Sequence, residues 1–161
     1  VTYEYKGKLY PNYLKNGNAC SHVFPFAKHF CRGDGLDIGG TGEWCFPGAT
    51  AINTDQGNQF EAMNLPDGKY DYIFSSHTLE HVADYISALE HWKTRLKFGA
   101  PLFMYLPHPD MEYWRPQNNR KHVHLFHPED MTKTLADLGF RQILCSGRDL
   151  YWSFAIVGLN G

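Results

Sequence analysis

Residues 36–44 read Leu36-Asp37-Ile38-Gly39-Gly40-Thr41-Gly42-Glu43-Trp44. A short apolar run that stops on two glycines is the pattern of a buried strand entering a tight turn, because glycine alone tolerates positive φ without a side-chain clash. Gly42 thins the turn further, so its backbone N–H groups can come close to a ligand. The rest of the chain is read outward from this strand and its loop.

Downstream, Ala49 to Asp55 (ATAINTD) reads as a second strand ending on a carboxylate, and Phe60 to Leu65 (FEAMNL) as a weaker third. Tyr70 to Ser76 (YDYIFSS) is a stronger fourth, rich in aromatic and β-branched residues. Leu79, Val82, Ile86, Leu89, Trp92 and Leu96 then form one stripe at three- and four-residue steps, a helix that Gly99 stops. Pro101 to Leu106 (PLFMYL) is a fifth strand, and Pro128 opens a helix that runs through Leu138 to Gly139. Arg141 to Ser146 and Trp152 to Leu159, separated by Gly147, Arg148 and Asp149, are placed to pair as an antiparallel hairpin. Upstream, Val23, Phe26, Ala27 and Phe30 mark a short helix over about 21–31 with Pro25 in its first turn. Residues 1–20 read as an irregular arm that must pack on something to be ordered. This order predicts an α/β fold, a doubly wound, mostly parallel sheet with an antiparallel strand near one edge.

The 161 residues fit one domain, with residues 1–30 as an N-terminal arm and helix. An apolar content of 43% with 20% charged residues is that of a soluble globular protein. Its apolar runs fall far short of the roughly 20 residues that span a bilayer. A formal charge of −2 argues against a dedicated nucleic-acid binder, since duplex binding relies on basic side chains. Cys20, Cys31, Cys45 and Cys145 form no C-x-x-C pair, and no apolar signal segment opens the chain, so reduced thiols and a cytoplasmic setting are expected.

In a doubly wound sheet the ligand lies outside the carboxyl ends of the strands, and the residues there are polar or glycine. LDIGGTGEW, INTD, FEAMNLPDGKYDYIFSSHTLEHV and LKFGAPLFMYLPHP follow one another in the chain. Together, over about residues 34–160, they resemble the successive motifs of class I S-adenosylmethionine-dependent methyltransferases, in particular the methyltransferase type 11-like domain. The resemblance implies a Rossmann-like fold with S-adenosylmethionine as cofactor. It also implies that Asp37, Gly39, Gly40 and Gly42 surround the amino-acid end of the cofactor and that Asp55 holds the ribose hydroxyls. Glu61 would stand near the adenine amino group with the Ala62 and Met63 backbone along the ring edge, and Ser75 and His77 would face the sulfonium. The DIGGTG loop is one residue shorter than the family's usual D-x-G-x-G-x-G. Only a few residues then separate Gly42 from the second strand, too few for a full helix. The implied domain is pared down, with the arm as a cover for the cofactor.

Two further patterns carry other chemistry. His77-x-x-Glu80-His81 spells a zinc-peptidase motif, in which two histidines bind the metal and the glutamate activates water, but it follows a strand directly and is the alternative function. Cys20-x-His22 and His29-x-Cys31 would lie about 10 Å apart along a continuous helix, too far for one zinc, so no metal is expected. Residues 107–127 form a long connection rich in histidine, tyrosine and tryptophan, suited to shaping an acceptor pocket. His108 and His124 are the expected catalytic bases within it, with His77 as a third candidate. No Asn/Asp-Pro-Pro-aromatic motif follows the fourth strand, where SSHT stands, and no Pro-Cys pair offers a nucleophile. A small metabolite or sugar oxygen or nitrogen is therefore the expected acceptor, ahead of nucleic acid or protein. An inactive cofactor-binding module is a third reading.

Overall fold

The structure is a computed structural model that describes residues 2–11, 20–52 and 60–161. Its centre is a six-stranded sheet built from β3 (Gly35–Ile38), β4 (Thr50–Ile52), β5 (Tyr72–Ser76), β6 (Pro101–Pro107), β7 (Phe140–Cys145) and β8 (Ser153–Asn160). The strand order is β4-β3-β5-β6-β8-β7. Neighbours from β4 through β6 are parallel, and β8 runs antiparallel to both β6 and β7. The expected mostly parallel sheet with an antiparallel strand near one edge is thus what the chain forms.

Strict two-residue alternation along the strands builds two cores, one on each face. On one face Leu36, Ile38, Ile73, Leu102, Met104, Phe154 and Ile156 pack against α3 (Tyr85–Arg95) and α4 (Pro128–Asp137). On the other, Tyr72, Phe74, Phe103, Tyr105 and Val157 meet Phe46 and α1 (Cys20–Ala27). This second face is an aromatic stack, with the Phe46 and Phe74 rings 4.8 Å apart and those of Phe74 and Phe103 5.7 Å apart. Strands buried on both faces read as continuous apolar runs, which is why β3, β5 and β6 stand out in the sequence.

Four expectations need correction. Residues 60–63 form not a third strand but a short helix, α2 (Phe60–Met63). Ala62 is fully buried there, and its carbonyl accepts the Trp92 indole N–H at 2.7 Å, so packing against α3 decides its conformation. The stripe from Leu79 to Leu96 is two elements, a 3₁₀ turn at Leu79–His81 and then α3. Asp84 starts α3 afresh, because its Oδ1 accepts the Ser87 N–H at 3.1 Å and caps the helix. Helix α1 begins at Cys20, which places Pro25 inside it and not in its first turn.

The fourth correction is the arm, which holds a hairpin of β1 (Thr2–Tyr5) and β2 (Lys8–Pro11). Lys6 and Gly7 both have positive φ, 49° and 77°, the two left-handed residues that a tight hairpin turn requires. The hairpin lies on the long connection after β6. Tyr10, Met111 and Trp114 are buried together, and Lys8 pairs with Glu112 at 2.9 Å.

The Trp92 link between α3 and α2 yields a test of this packing. Trp92→Phe keeps most of the apolar volume but leaves the buried Ala62 carbonyl unpaired, a cost of about 1–3 kcal/mol. Trp92→Ala adds a cavity and should cost about 3–5 kcal/mol. Urea denaturation followed by far-ultraviolet circular dichroism measures both values.

Candidate functional site

The carboxyl end of β3 is built around a buried charge. Asp37 is 2% exposed, and its Oδ2 accepts the backbone N–H of Phe46 at 2.7 Å, which folds the loop after β3 back over the strand. Burial raises the carboxyl from its ordinary 3.8 to about 6, against the lowering effect of the Phe46 N–H and the Cys45 side chain. Gly40 is required beside it, because a Cβ there would lie 2.5 Å from the carboxyl carbon of Asp37. Gly39 has φ +94°, and a Cβ on it would lie 1.9 Å from Thr78 Oγ1. The two glycines thus let β3 end hard against its own carboxylate and against the turn after β5. Gly42 opens a 3₁₀ turn, Gly42–Trp44, in the place where the sequence leaves no room for a longer helix.

A cavity of about 190 Å³ opens at the ends of β3 and β5. Its walls are Asp37, Gly39, Gly40, Thr41 and Trp44 from the first loop, Ser76 and His77 from the second, and Cys20 from the start of α1. Cys20 is the contribution of the N-terminal region to the cavity wall. Ser76 Oγ is buried and has no hydrogen-bond partner among the described residues. A buried hydroxyl without a partner is costly, and in a cavity wall beside two bare glycines it fits a polar ligand. His77 holds φ +48°, with Nε2 2.9 Å from Ser153 Oγ and its ring edge-on to Trp114 at 4.9 Å. Burial first, then the nearby His122 and His81, push its imidazole down to about 3, so it is neutral near pH 7.

The remaining expected residues lie elsewhere. Ser75 does not face the cavity, for its Oγ donates to the Ile38 carbonyl at 2.9 Å and ties β5 to β3. Ala62 and Met63 pack with the α3 core, and Asp55 lies outside the described residues, as does the side chain of Glu61. His108 accepts the Asp110 N–H at Nδ1, 3.1 Å away, and sets its ring edge against Phe154. His124 shares its Nε2 hydrogen between the carbonyls of Val82 and Ala83, at 2.8 and 2.9 Å, and stacks on Phe126. Neither ring is in the cavity wall. His124 fastens the long connection to the segment after β5, whereas His108 packs the start of that connection against β8. The Cys20/His22 and His29/Cys31 pairs form no metal cluster among the described residues, and His22 is stacked on Tyr151 with ring centres 3.8 Å apart.

Sequence reasoning missed Ser76, Thr41, Trp44 and Cys20 as wall residues. The signal for Ser76 was strand parity, since Ser76 shares a sheet face with Tyr72 and Phe74 while Ser75 shares one with Ile73.

Asp37 makes a testable demand on stability. Its folded value lies above its unfolded one, so it costs nothing below about pH 4, and the penalty grows as pH rises to about 6 and is complete above that. A rise of about two units corresponds to about 3 kcal/mol. Asp37→Asn should match the parent at about pH 4 and exceed its stability by up to about 3 kcal/mol near pH 7. Urea titrations of ligand-free protein across that range measure the difference.

Comparison with known proteins agrees with this geometry. A methyltransferase-domain family model matches residues 15–144 of the chain. A Thermotoga maritima S-adenosylmethionine-dependent methyltransferase, described as a possible histamine N-methyltransferase, shares the fold. It is 19% identical with a TM-score of 0.72, over 92% of each chain. An S-adenosylmethionine-dependent methyltransferase from Archaeoglobus fulgidus is 17% identical with a TM-score of 0.66, over 92% of this chain and 100% of that one. A Haloferax volcanii methyltransferase in complex with the Trm112 activator is 10% identical with a TM-score of 0.67, over 91% of each chain. A search of curated protein sequences finds no match. With the family model covering most of its length and a glycine-lined cavity at the strand ends, the chain belongs to the methyltransferase-domain family of S-adenosylmethionine-dependent enzymes.

Proposed function

We propose that this enzyme methylates an oxygen or nitrogen atom of a small metabolite or sugar, with the cavity at the ends of β3 and β5 holding the methionine end of S-adenosylmethionine. The observation that carries the cofactor's placement is the unpartnered Ser76 hydroxyl in a wall shared with Asp37, Gly39 and Gly40. The cofactor supplies an activated sulfonium methyl, so the protein has mainly to align donor and acceptor. Asp37 offers a carboxylate to an ammonium group, and ionising it within the cavity is easier once a cation neutralises the charge. Ser76 Oγ offers one more hydrogen bond, and the bare backbone of Gly39 and Gly40 permits close approach. At about 190 Å³ the cavity is smaller than the roughly 300–1,000 Å³ of whole-ligand sites, so the nucleoside end extends beyond it. Asp55, following β4, would accept the ribose hydroxyls.

The acceptor side is formed by the connection 108–127 and the hairpin that braces it. Here the expected bases and the geometry diverge. His108 is bonded within its own loop and His124 to the Val82 and Ala83 carbonyls, whereas His77 lies in the cavity wall, bonded to Ser153 and kept neutral by burial. A neutral imidazole held well below its ordinary value is a weak base but a fixed hydrogen-bonding group. Catalysis by alignment, with His77 orienting the acceptor, is therefore the reading adopted. The whole chain acts as one unit in this account. Its four free cysteines suit a reducing cytoplasm, and no described helix is long and apolar enough to cross a membrane.

The two adjacent serines separate a ligand contact from a structural one. Ser76→Ala should weaken S-adenosylhomocysteine binding by about 1 kcal/mol in calorimetry with stability unchanged. Ser75→Ala should lower stability by about 1 kcal/mol and leave affinity unchanged. The reaction itself is tested by screening metabolites and nucleotide sugars for release of S-adenosylhomocysteine. With the acceptor in hand, His77→Asn, which keeps the left-handed backbone, should slow transfer by about 10²-fold, and His108→Ala or His124→Ala by less than about tenfold. A loss of about 10²–10⁴ in either loop variant at unchanged cofactor affinity would instead make that histidine the general base.

A further inference from the structure

Beside the cofactor cavity, the turn after β5 buries a second carboxylate that the methyl-transfer reading leaves unused. Glu80 is 0% exposed, and neither of its carboxyl oxygens has a hydrogen-bond partner among the described residues. Two imidazoles converge on it. His81 Nε2 lies 3.6 Å and His122 Nε2 3.9 Å from Glu80 Oε1, and one ligand atom from each of the three residues lies within 4.8 Å of the other two. These separations exceed hydrogen-bond length, for which an N–H···O pair closes to about 2.7–3.2 Å. The two distances from Glu80 Oε1 are within about half an ångström of the roughly 3.4 Å between neighbouring ligand atoms on a tetrahedral ion with bonds near 2.0–2.1 Å.

The orientation of His81 points the same way. Its Nδ1 donates to the Lys121 carbonyl at 2.6 Å, which puts the lone pair on Nε2, the atom facing Glu80. A ligating histidine characteristically gives its other N–H to a backbone carbonyl, which fixes both tautomer and ring direction. A lone pair on nitrogen therefore faces an unpartnered carboxyl oxygen across a gap of ion-binding width. The loop that carries His122 is pinned at the same place, since the N–H groups of Val123 and His124 both donate to the Glu80 carbonyl, at 2.8 and 3.2 Å. Three donors from two segments are thus pre-positioned by backbone hydrogen bonds, with His122 only 7% exposed.

We propose that Glu80, His81 and His122 form a binding site for a divalent transition-metal ion, with zinc the best match to two imidazoles and one carboxylate. Imidazole selects such ions over magnesium and calcium, which take all-oxygen sites. Three protein ligands leave a fourth position open, and the partly exposed His81 ring marks the side from which it is reached. The peptidase motif read in the sequence is half present here. Its Glu80 becomes a ligand, its His77 is engaged by Ser153, and His122 supplies the second imidazole. The site stands independently of the acceptor reading.

The test uses the full chain, stripped with chelator and dialysed against zinc, with bound metal measured by elemental analysis and the site reported by the visible absorption of substituted cobalt. One equivalent of zinc and a tetrahedral cobalt spectrum are expected. Glu80→Gln, His81→Ala and His122→Ala should each weaken binding by at least tenfold, while His29→Ala, on the surface, should bind like the parent. If burial makes the Glu80 or His122 variant unfold, His81→Ala decides, because its ring is partly exposed. Absence of stoichiometric metal, or binding untouched by His81→Ala in folded protein, overturns the proposal.

Discussion

A carboxylate buried at the end of the central strand constrains everything around it. Asp37 can be held in the interior only because the Phe46 N–H reaches it, and that bond forces the chain to turn sharply after Ile38. The turn in turn requires Gly39 and Gly40, since side chains there would collide with Thr78 and with Asp37 itself. Phe46, drawn in by the same bond, becomes part of the aromatic stack under β5 and β6. One costly charge therefore sets the loop, the cavity beside it and part of the core beneath it. A group that lowers stability and is kept at the mouth of a cavity is the usual mark of a ligand site.

The turn after β5 is the second half of the same arrangement. His77 adopts a left-handed backbone, Thr78 closes on Gly39, and Glu80 is carried into the interior. The long connection after β6 then docks on this turn through Val123, His124 and His122, and the N-terminal hairpin braces the connection from outside through Tyr10 and Lys8. Segments that look unrelated along the chain thus converge on the strand ends. A change in the hairpin can reach the cavity through Met111 and Trp114, against which the His77 ring packs at nearly a right angle.

Much of this was legible in the sequence, for physical reasons. Strands β3, β5 and β6 are covered on both faces and so appear as apolar runs, and the glycines after β3 signal a turn whatever surrounds it. That Asp37, Gly39, Gly40 and His77 line the cavity at the strand ends was legible because their positions follow from where strands end. What tertiary packing decides was not legible. Four residues such as Phe60–Met63 suit a strand or a helix, and only Trp92 settles which. Ser75 and Ser76 are chemically equal, and which of them faces the cavity depends on which sheet face α1 covers. His122 meets Glu80 across 42 positions of chain, a pairing that no local pattern encodes.

The central claim is that the cavity between Asp37, Gly39, Gly40 and Ser76 receives the methionine end of the cofactor. A crystal structure of the chain with S-adenosylhomocysteine tests it most directly. The account predicts the amino-acid moiety within hydrogen-bond distance of Asp37 and Ser76 Oγ, with the ribose near Asp55. A ligand bound away from the ends of β3 and β5, or no ligand in well-ordered crystals grown at saturating concentration, would contradict it.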